Sequence, residues 1–309
     1  MHKALLPLLA ALAVPAAAQQ AMAPFTVQET GQGFSDLQDA VNAVGEGQGT
    51  ILIAPGTYRQ CAVQEAGRIA YVAAEPGRAV FDGTICEDKA ALVLRGRAAR
   101  VEGLVFQNMA AADGNGAAIR IQEGDLLVRE SLFRNSETAI LSHDDGSAAI
   151  RIERSTFSEL GRCRPDNCSH SVYIGPYGSV AVANSRFERG RGGHYLKSRS
   201  GRIEVRDSSF DDAAGRDTSY MIDLPGGATG TISGNAFVQG PHKQNYSALI
   251  VIQAEGERHS SNGLAIVNNE ASAAPGFDGR TSFIADFSGA PLRVENNRLG
   301  ARITPFERR

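Results

Sequence analysis

Three observations predict an all-β fold, a single-domain right-handed parallel β-helix with a short N-terminal capping helix. Short apolar runs recur at intervals of 23 to 34 residues. Between them lies no helical pattern long enough for a crossover, which argues against alternating β/α units. The 309-residue chain has no Trp and only 6% aromatic residues, but 34 Gly. Such a composition suits a thin stack of coils better than one wide core.

The repeat is plainest in Val128-Arg129-Glu130-Ser131-Leu132-Phe133. Copies follow at Ile152 to Phe157, Val182 to Phe187, Val205 to Phe210 and Ile232 to Phe237. Degenerate copies follow at Ile266 to Ala271 and Val294 to Leu299. Two residues before the Phe position stands Ser, then Asn in the last three copies. Coils stacked about 4.8 Å apart would place these Ser and Asn in a hydrogen-bonded ladder and the Phe rings one above another inside. A β-propeller needs about four strands per 40-residue blade, which these intervals do not supply.

The ends of such a column need covers. Residues 34 to 45 read as an amphipathic helix with Ser35 as N-cap and Leu37, Val41 and Val44 as its apolar stripe. Before it, residues 1–18 read as a signal peptide. Lys3 begins it, Leu5 to Val14 form the apolar run, and Ala16-Ala17-Ala18 precede cleavage at Gln19. The β-helix domain is then 19–309, exported to the periplasm or secreted, with no membrane association after cleavage and a monomeric state expected. Four Cys in an exported chain suggest two disulfides. Cys61 and Cys86 are about one coil apart and become neighbours on adjacent coils, which leaves Cys163 with Cys168. No His pair stands beside them at zinc spacing.

The formal net charge of -3 argues against wholesale disorder and against a dedicated nucleic-acid binder. The Arg189-Gly190-Arg191-Gly192-Gly193 run is a single copy inside a repeat and reads as a loop. Lysine is scarce, with four Lys against 27 Arg.

The opening segment carries a resemblance. Gly31 to Tyr58, with Phe34, Leu37-Gln38-Asp39-Ala40-Val41 and Ile53-Ala54-Pro55-Gly56-Thr57-Tyr58, resembles the start of pectate-lyase-like β-helix proteins. That resemblance implies fold rather than reaction.

Three coils differ from the rest: Ser169-His170-Ser171-Val172-Tyr173-Ile174, Gly193-His194-Tyr195-Leu196-Lys197-Ser198-Arg199 and Ser219-Tyr220-Met221-Ile222-Asp223-Leu224. Strand alternation sends Val172, Leu196 and Ile222 inward, so Tyr173, Lys197 and Asp223 face outward as vertical neighbours. Arg199 follows on the same side. His143 with Asp144-Asp145 ends the strand one coil earlier. Tyr rings stack on sugar faces, so Tyr177, Tyr195 and Tyr220 join His170 and Arg191 as candidate substrate-binding residues. Seven cations against two anions lie between Arg186 and Arg206, an excess that points to an anionic ligand.

Lys197, flanked by cations, is a candidate base for removing the C5 proton of a uronate. Arg199 or His194 would neutralise the carboxylate, and Tyr173 or His143 would act as acid. The bland alternative is a cross-strand ion pair of Lys197 with Asp223. Lys197-Ser198 ending a strand, one coil after Ile174-Gly175, is similar to the alginate lyase and chondroitinase B family. That similarity implies a Lys base, an assisting Arg and calcium. Here Gly190, Gly192 and Gly193 stand where acidic calcium ligands are expected, and Asp223 stands in place of the Arg. Taken together, the three coils resemble a group of exported bacterial β-helix proteins. The Trp motif of pectate lyases, the Asp pair and Arg-x-Lys of polygalacturonases and the pectinesterase motifs are absent.

The expected activity is therefore a polysaccharide lyase acting on an anionic polymer, with no certain cofactor. One alternative is a glycoside hydrolase using Asp223 with Asp144 or Asp145, although Asp144-Asp145-Gly146 also reads as a turn. A non-catalytic polysaccharide-binding or envelope protein is the third class.

Overall fold

The computed structural model describes residues 23–165 and 167–309. The expected signal peptide lies outside them. The chain winds into a parallel β-helix with three faces. The first sheet has twelve strands, and the second and third have ten each. No helix among the described residues is long and apolar enough to cross a membrane.

The Phe positions stack as predicted. Phe81, Phe106, Phe133, Phe157, Phe187, Phe210 and Phe237 pair in register along the second sheet. Neighbouring rings lie between 4.6 and 5.3 Å apart. Each buried ring contributes roughly 2–3 kcal/mol relative to exposure. On the third sheet Ile119, Ile140, Val172, Leu196, Ile222 and Ile250 fill the interior with no accessible surface.

The Ser and Asn positions form the ladder. Ser155 Oγ accepts from Ser131 N at 3.3 Å, Ser185 Oγ from Ser155 N at 3.2 Å, and Ser208 Oγ from Ser185 N at 3.1 Å. Asn235, Asn269 and Asn297 continue it at 3.0 Å each. The residue before each is left-handed, from Arg154 at φ 46° to Gly234 at φ 68°. A non-Gly residue in that conformation costs roughly 1–2 kcal/mol, which the ladder bond and the sharp corner offset. From the Ala98–Glu102 strand onward the corner between first and second sheets is always two residues. Connections from the second to the third sheet instead range from three residues to thirteen.

The covers differ in part from expectation. The helix spans Leu37–Val44, and its N-cap is Asp36, whose carboxylate accepts from Gln38 N at 2.8 Å and Asp39 N at 3.3 Å. Ser35 is not the cap; its carbonyl accepts from Gln60 Nε2. Phe34 belongs to the strand Gln32–Phe34 rather than to the helix. The helix covers the open edge of the third sheet through Gln38, whose side-chain amide pairs with both Val63 N and Val63 O as a strand would. Two short antiparallel strands, Phe25–Val27 and Gln32–Phe34, cover the first sheet beside Ile51–Ile53. At three residues each they are too short to show a period.

Both expected disulfides form, Cys61–Cys86 and Cys163–Cys168. The second closes a hairpin whose Arg162 and Arg164 each reach the buried carboxylate of Glu137 at 3.3 Å.

Candidate functional site

The outer face of the third sheet is apolar at both ends. Val93 with Ala90 and Ala117 packs at one end, and Val251 with Ala248 and Ala285 at the other. Between them the row turns polar. Tyr173, Lys197 and Asp223 are register neighbours on successive strands and face outward as alternation requires. A second outward row carries His170, His194 and Tyr220, stacked at 4.6 and 5.0 Å.

Hydrogen bonds define the imidazole tautomers. His194 Nδ1 accepts from Tyr220 N at 3.0 Å, and His170 Nδ1 accepts from His194 N at 3.0 Å. Each ring therefore carries its proton on Nε2. His194 Nε2 lies 3.4 Å from Asp223 Oδ2. Burial, followed by the nearby Lys197 and Arg199 charges, lowers the His170 pKa to about 3. Burial likewise holds His194 well below the usual range. Burial pushes Asp223 up to about 6, with Lys197 pulling the other way.

Lys197 is 8% exposed. Its Nζ lies 3.4 Å from Asp223 Oδ2 and 2.8 Å from Glu255 Oε1. The ion pair with Asp223 is thus present, and the surroundings of Lys197 are anionic rather than cationic. Arg199 Nε donates to Tyr173 Oη at 2.9 Å, and its Nη2 binds Glu255 Oε2. Burial works upward on Glu255, but the hydrogen bonds from Lys197 and Arg199 outweigh it and leave its carboxyl below the usual range. Glu255 has no signal in the sequence, because it lies in the irregular twelve-residue connection after Ala248–Ile252. Its backbone is anchored by Glu255 N to Pro225 O at 2.9 Å.

Other sequence candidates lie apart from this cluster. His143 and Asp144 are exposed beside one another at 3.7 Å. Among the described residues, no hydrogen bond or ion pair joins either to Lys197 or Asp223. The Asp145 carboxylate accepts from Gly124 N and Ser147 N, which is the turn role. Tyr177 is buried at the start of a first-sheet strand, with its hydroxyl on Gly124 O at 3.3 Å. Tyr195 is buried inside the column, where its hydroxyl donates to Asp212 Oδ1 at 2.6 Å. Neither ring reaches the outer face. Arg191 pairs with Glu159 at 2.8 Å on the second-to-third corner. The cation-rich stretch from Arg186 to Arg206 spans nearly one coil, so its charges are distributed around the column instead of forming one patch. Arg186 faces out from the second sheet, while Arg202 and Arg206 belong to the first.

The residues near Lys197 do not fit calcium. Gly190, Gly192 and Gly193 offer no side-chain oxygen, and Asp223 and Glu255 are both bound to cations. Among the described residues no group of three or more His, Cys, Asp or Glu is placed to hold a metal ion.

Comparison with known proteins agrees with this architecture. The crystal structure of PfbA, a surface adhesin of Streptococcus pneumoniae, superposes with a TM-score of 0.54 at 12% identity, over 87% of this chain and 88% of that one. ORF18 of Geobacillus virus E2 superposes with a TM-score of 0.51 at 13% identity, over 87% of this chain and 57% of that one. Such likenesses concern the fold alone. No curated protein sequence matches the chain. The family model described as the right handed beta helix region matches residues 89–299. With two thirds of its length matched and the coils in place, the chain belongs to the right-handed β-helix family.

Proposed function

We propose that this is an exported carbohydrate-active protein that engages an acidic polysaccharide on the outer face of the third sheet and cleaves it by β-elimination. One observation carries the reading: Lys197 and Arg199 bind the two oxygens of a single carboxylate, that of Glu255. The pair is a clamp for carboxylates, and a uronate can take the place of Glu255. Neutralising the uronate carboxylate makes its C5 proton easier to remove. Tyr173 Oη, held by Arg199 Nε and reacting as its phenolate, receives that proton and becomes the neutral phenol. The C5–H electrons form the C4=C5 double bond and the C4–O bond breaks. Tyr173 then passes the proton to the departing oxygen. Asp223 positions Lys197, and His194 positions Asp223. Lys197 thus moves from the base of the sequence expectation to the clamp. The similarity to alginate lyases and chondroitinase B around Lys197 supports the same reaction class. The two disulfides fit an oxidising compartment and so favour export.

A binding protein without a reaction is the second reading. What favours it is the closure of the site, with Asp223 3% exposed and Lys197 already paired twice. The test is to offer the purified protein alginate, pectate, glycosaminoglycans and bacterial exopolysaccharides. New ultraviolet absorbance from unsaturated uronates identifies a lyase. Retained polymer without new chain ends identifies a binding protein. New reducing ends without absorbance identify a hydrolase, with Asp223 and Glu255 as its carboxyl pair.

A further inference from the structure

We infer that the outer face of the first sheet is a second binding surface, separate from the Lys197 cluster, for an extended acidic polysaccharide. A shallow cavity of about 490 Å³ lies over this face from Gln48 to Arg151. A second, of about 370 Å³, continues from Arg151 to Ser233. Together they make one trough along the column. Its floor is apolar where Ala70 and Leu127 face outward in one register row with Arg100 and Arg151. Sugar rings present C–H faces to such a floor.

The cations are spaced along the trough. Arg100 and Arg151 are two strands apart, about 10 Å by strand spacing. Arg202 lies two strands beyond Arg151 on the adjoining row, and Arg68 one strand before Arg100. An extended polyuronate, with an acid on every sugar, brings every second carboxylate near that interval. In the row nearest the corner, Glu102 pairs with Arg129 and also binds Arg100 at 2.6 Å. Arg206 of that row pairs with Glu204, which stands in the Arg151 row and lines the second cavity. Arg68, Arg151 and Arg202 are exposed, and among the described residues no carboxylate pairs with them. Asp125, also in the trough, has one oxygen accepting from Ala149 N at 2.9 Å. Several weak cation contacts on one chain add through multivalency. The occupant is thus a linear polyanion with apolar ring faces, and its binding does not depend on any reaction at the third sheet.

The test is electrophoresis in native gels cast with alginate or pectate. The wild-type chain should be retarded, and about 1 M NaCl should release it. Arg151→Ser with Arg202→Ser should bind roughly tenfold more weakly with unchanged thermal unfolding, since both side chains are exposed. Lys197→Ala with Arg199→Ala should keep most of the retardation. Wild-type retardation by the Arg151/Arg202 variant overturns the inference, as does complete loss in the Lys197/Arg199 variant. So does adsorption to phosphatidylglycerol vesicles with no retardation by either polymer. Failure of the β-elimination reading appears separately, as absent ultraviolet product.

Discussion

Glu255 Oε1 lies 2.8 Å from Lys197 Nζ although 58 residues separate the two in the chain. Under the proposed function the carboxylate stands where a uronate would be held, and the site would carry its own competitor. Glu255→Gln weakens two charge-assisted bonds without changing side-chain volume. Uronate oligosaccharides should then bind roughly tenfold more tightly by calorimetry, or about 1–2 kcal/mol. Weaker binding by Glu255→Gln would mean that the carboxylate is part of the binding surface instead.

Tyr173→Phe deletes one oxygen and keeps the ring that lies under Lys197 and Arg199. Lyase turnover should fall by roughly 10²–10⁴, with KM little changed. Lys197→Met should instead raise KM strongly, because it removes half of the clamp. If the two variants exchange these signatures, Lys197 is the base and Tyr173 the binding group.

Two buried groups give opposing pH dependences. His170 titrates near 3 in the folded chain against a usual 6.5, so below 6.5 the unfolded chain holds more protons. The stability contributed by its neutral ring is full above pH 6.5 and is lost as pH falls through about 3. Asp223 titrates near 6 against a usual 3.8, so between those values the folded chain holds more protons. Its contribution is full below 3.8 and is lost as pH rises through 6. Urea unfolding from pH 3 to 7 should show His170→Asn flattening the acid limb, with Asn keeping an acceptor for His194 N. Asp223→Asn should remove the decline between pH 4 and 6. Parallel curves for wild type and both variants would contradict these assignments.

Asn235 is the rung at which the ladder changes from Ser to Asn. It accepts from Ser208 N and donates to Val205 O at 2.9 Å. Asn235→Ala leaves both buried groups without that partner and should cost about 2–3 kcal/mol, or a thermal midpoint lower by roughly 5 °C. Asn235→Ser should recover only part of the loss. A rung Ser accepts from the preceding coil, as at Ser155, Ser185 and Ser208, but donates to the carbonyl two residues back and not to Val205 O. An Ala variant as stable as wild type would show that the rung contributes little.

The column was legible because its signals repeat. Phe157, Ser155 and the residues around them recur often enough that one copy predicts the next, and Cys61 finds Cys86 by coil length alone. The outward row of Tyr173, Lys197 and Asp223 was legible from strand alternation. What escaped depends on single, unrepeated geometry. Glu255 arrives on an irregular connection, and Tyr195 turns inward because the strand begins with a break in alternation beside Asp212. Asp36 takes the cap from Ser35 by a carboxylate reach that spacing alone does not distinguish. The charge excess near Lys197 does not form one patch for a physical reason: counting along a solenoid sums residues that the coil then points in different directions.

The two-residue corner and the variable second-to-third connections divide labour along the chain. Each turn of the column is gauged at one edge, where the left-handed residue and its Ser or Asn rung set the pitch. Length can be added or removed at the opposite edge without disturbing that gauge. The Cys163–Cys168 hairpin is one such addition. A lineage of such proteins could therefore exchange these connections to change the surface beside the third sheet and inherit the scaffold intact, so that surface should diverge faster than shape.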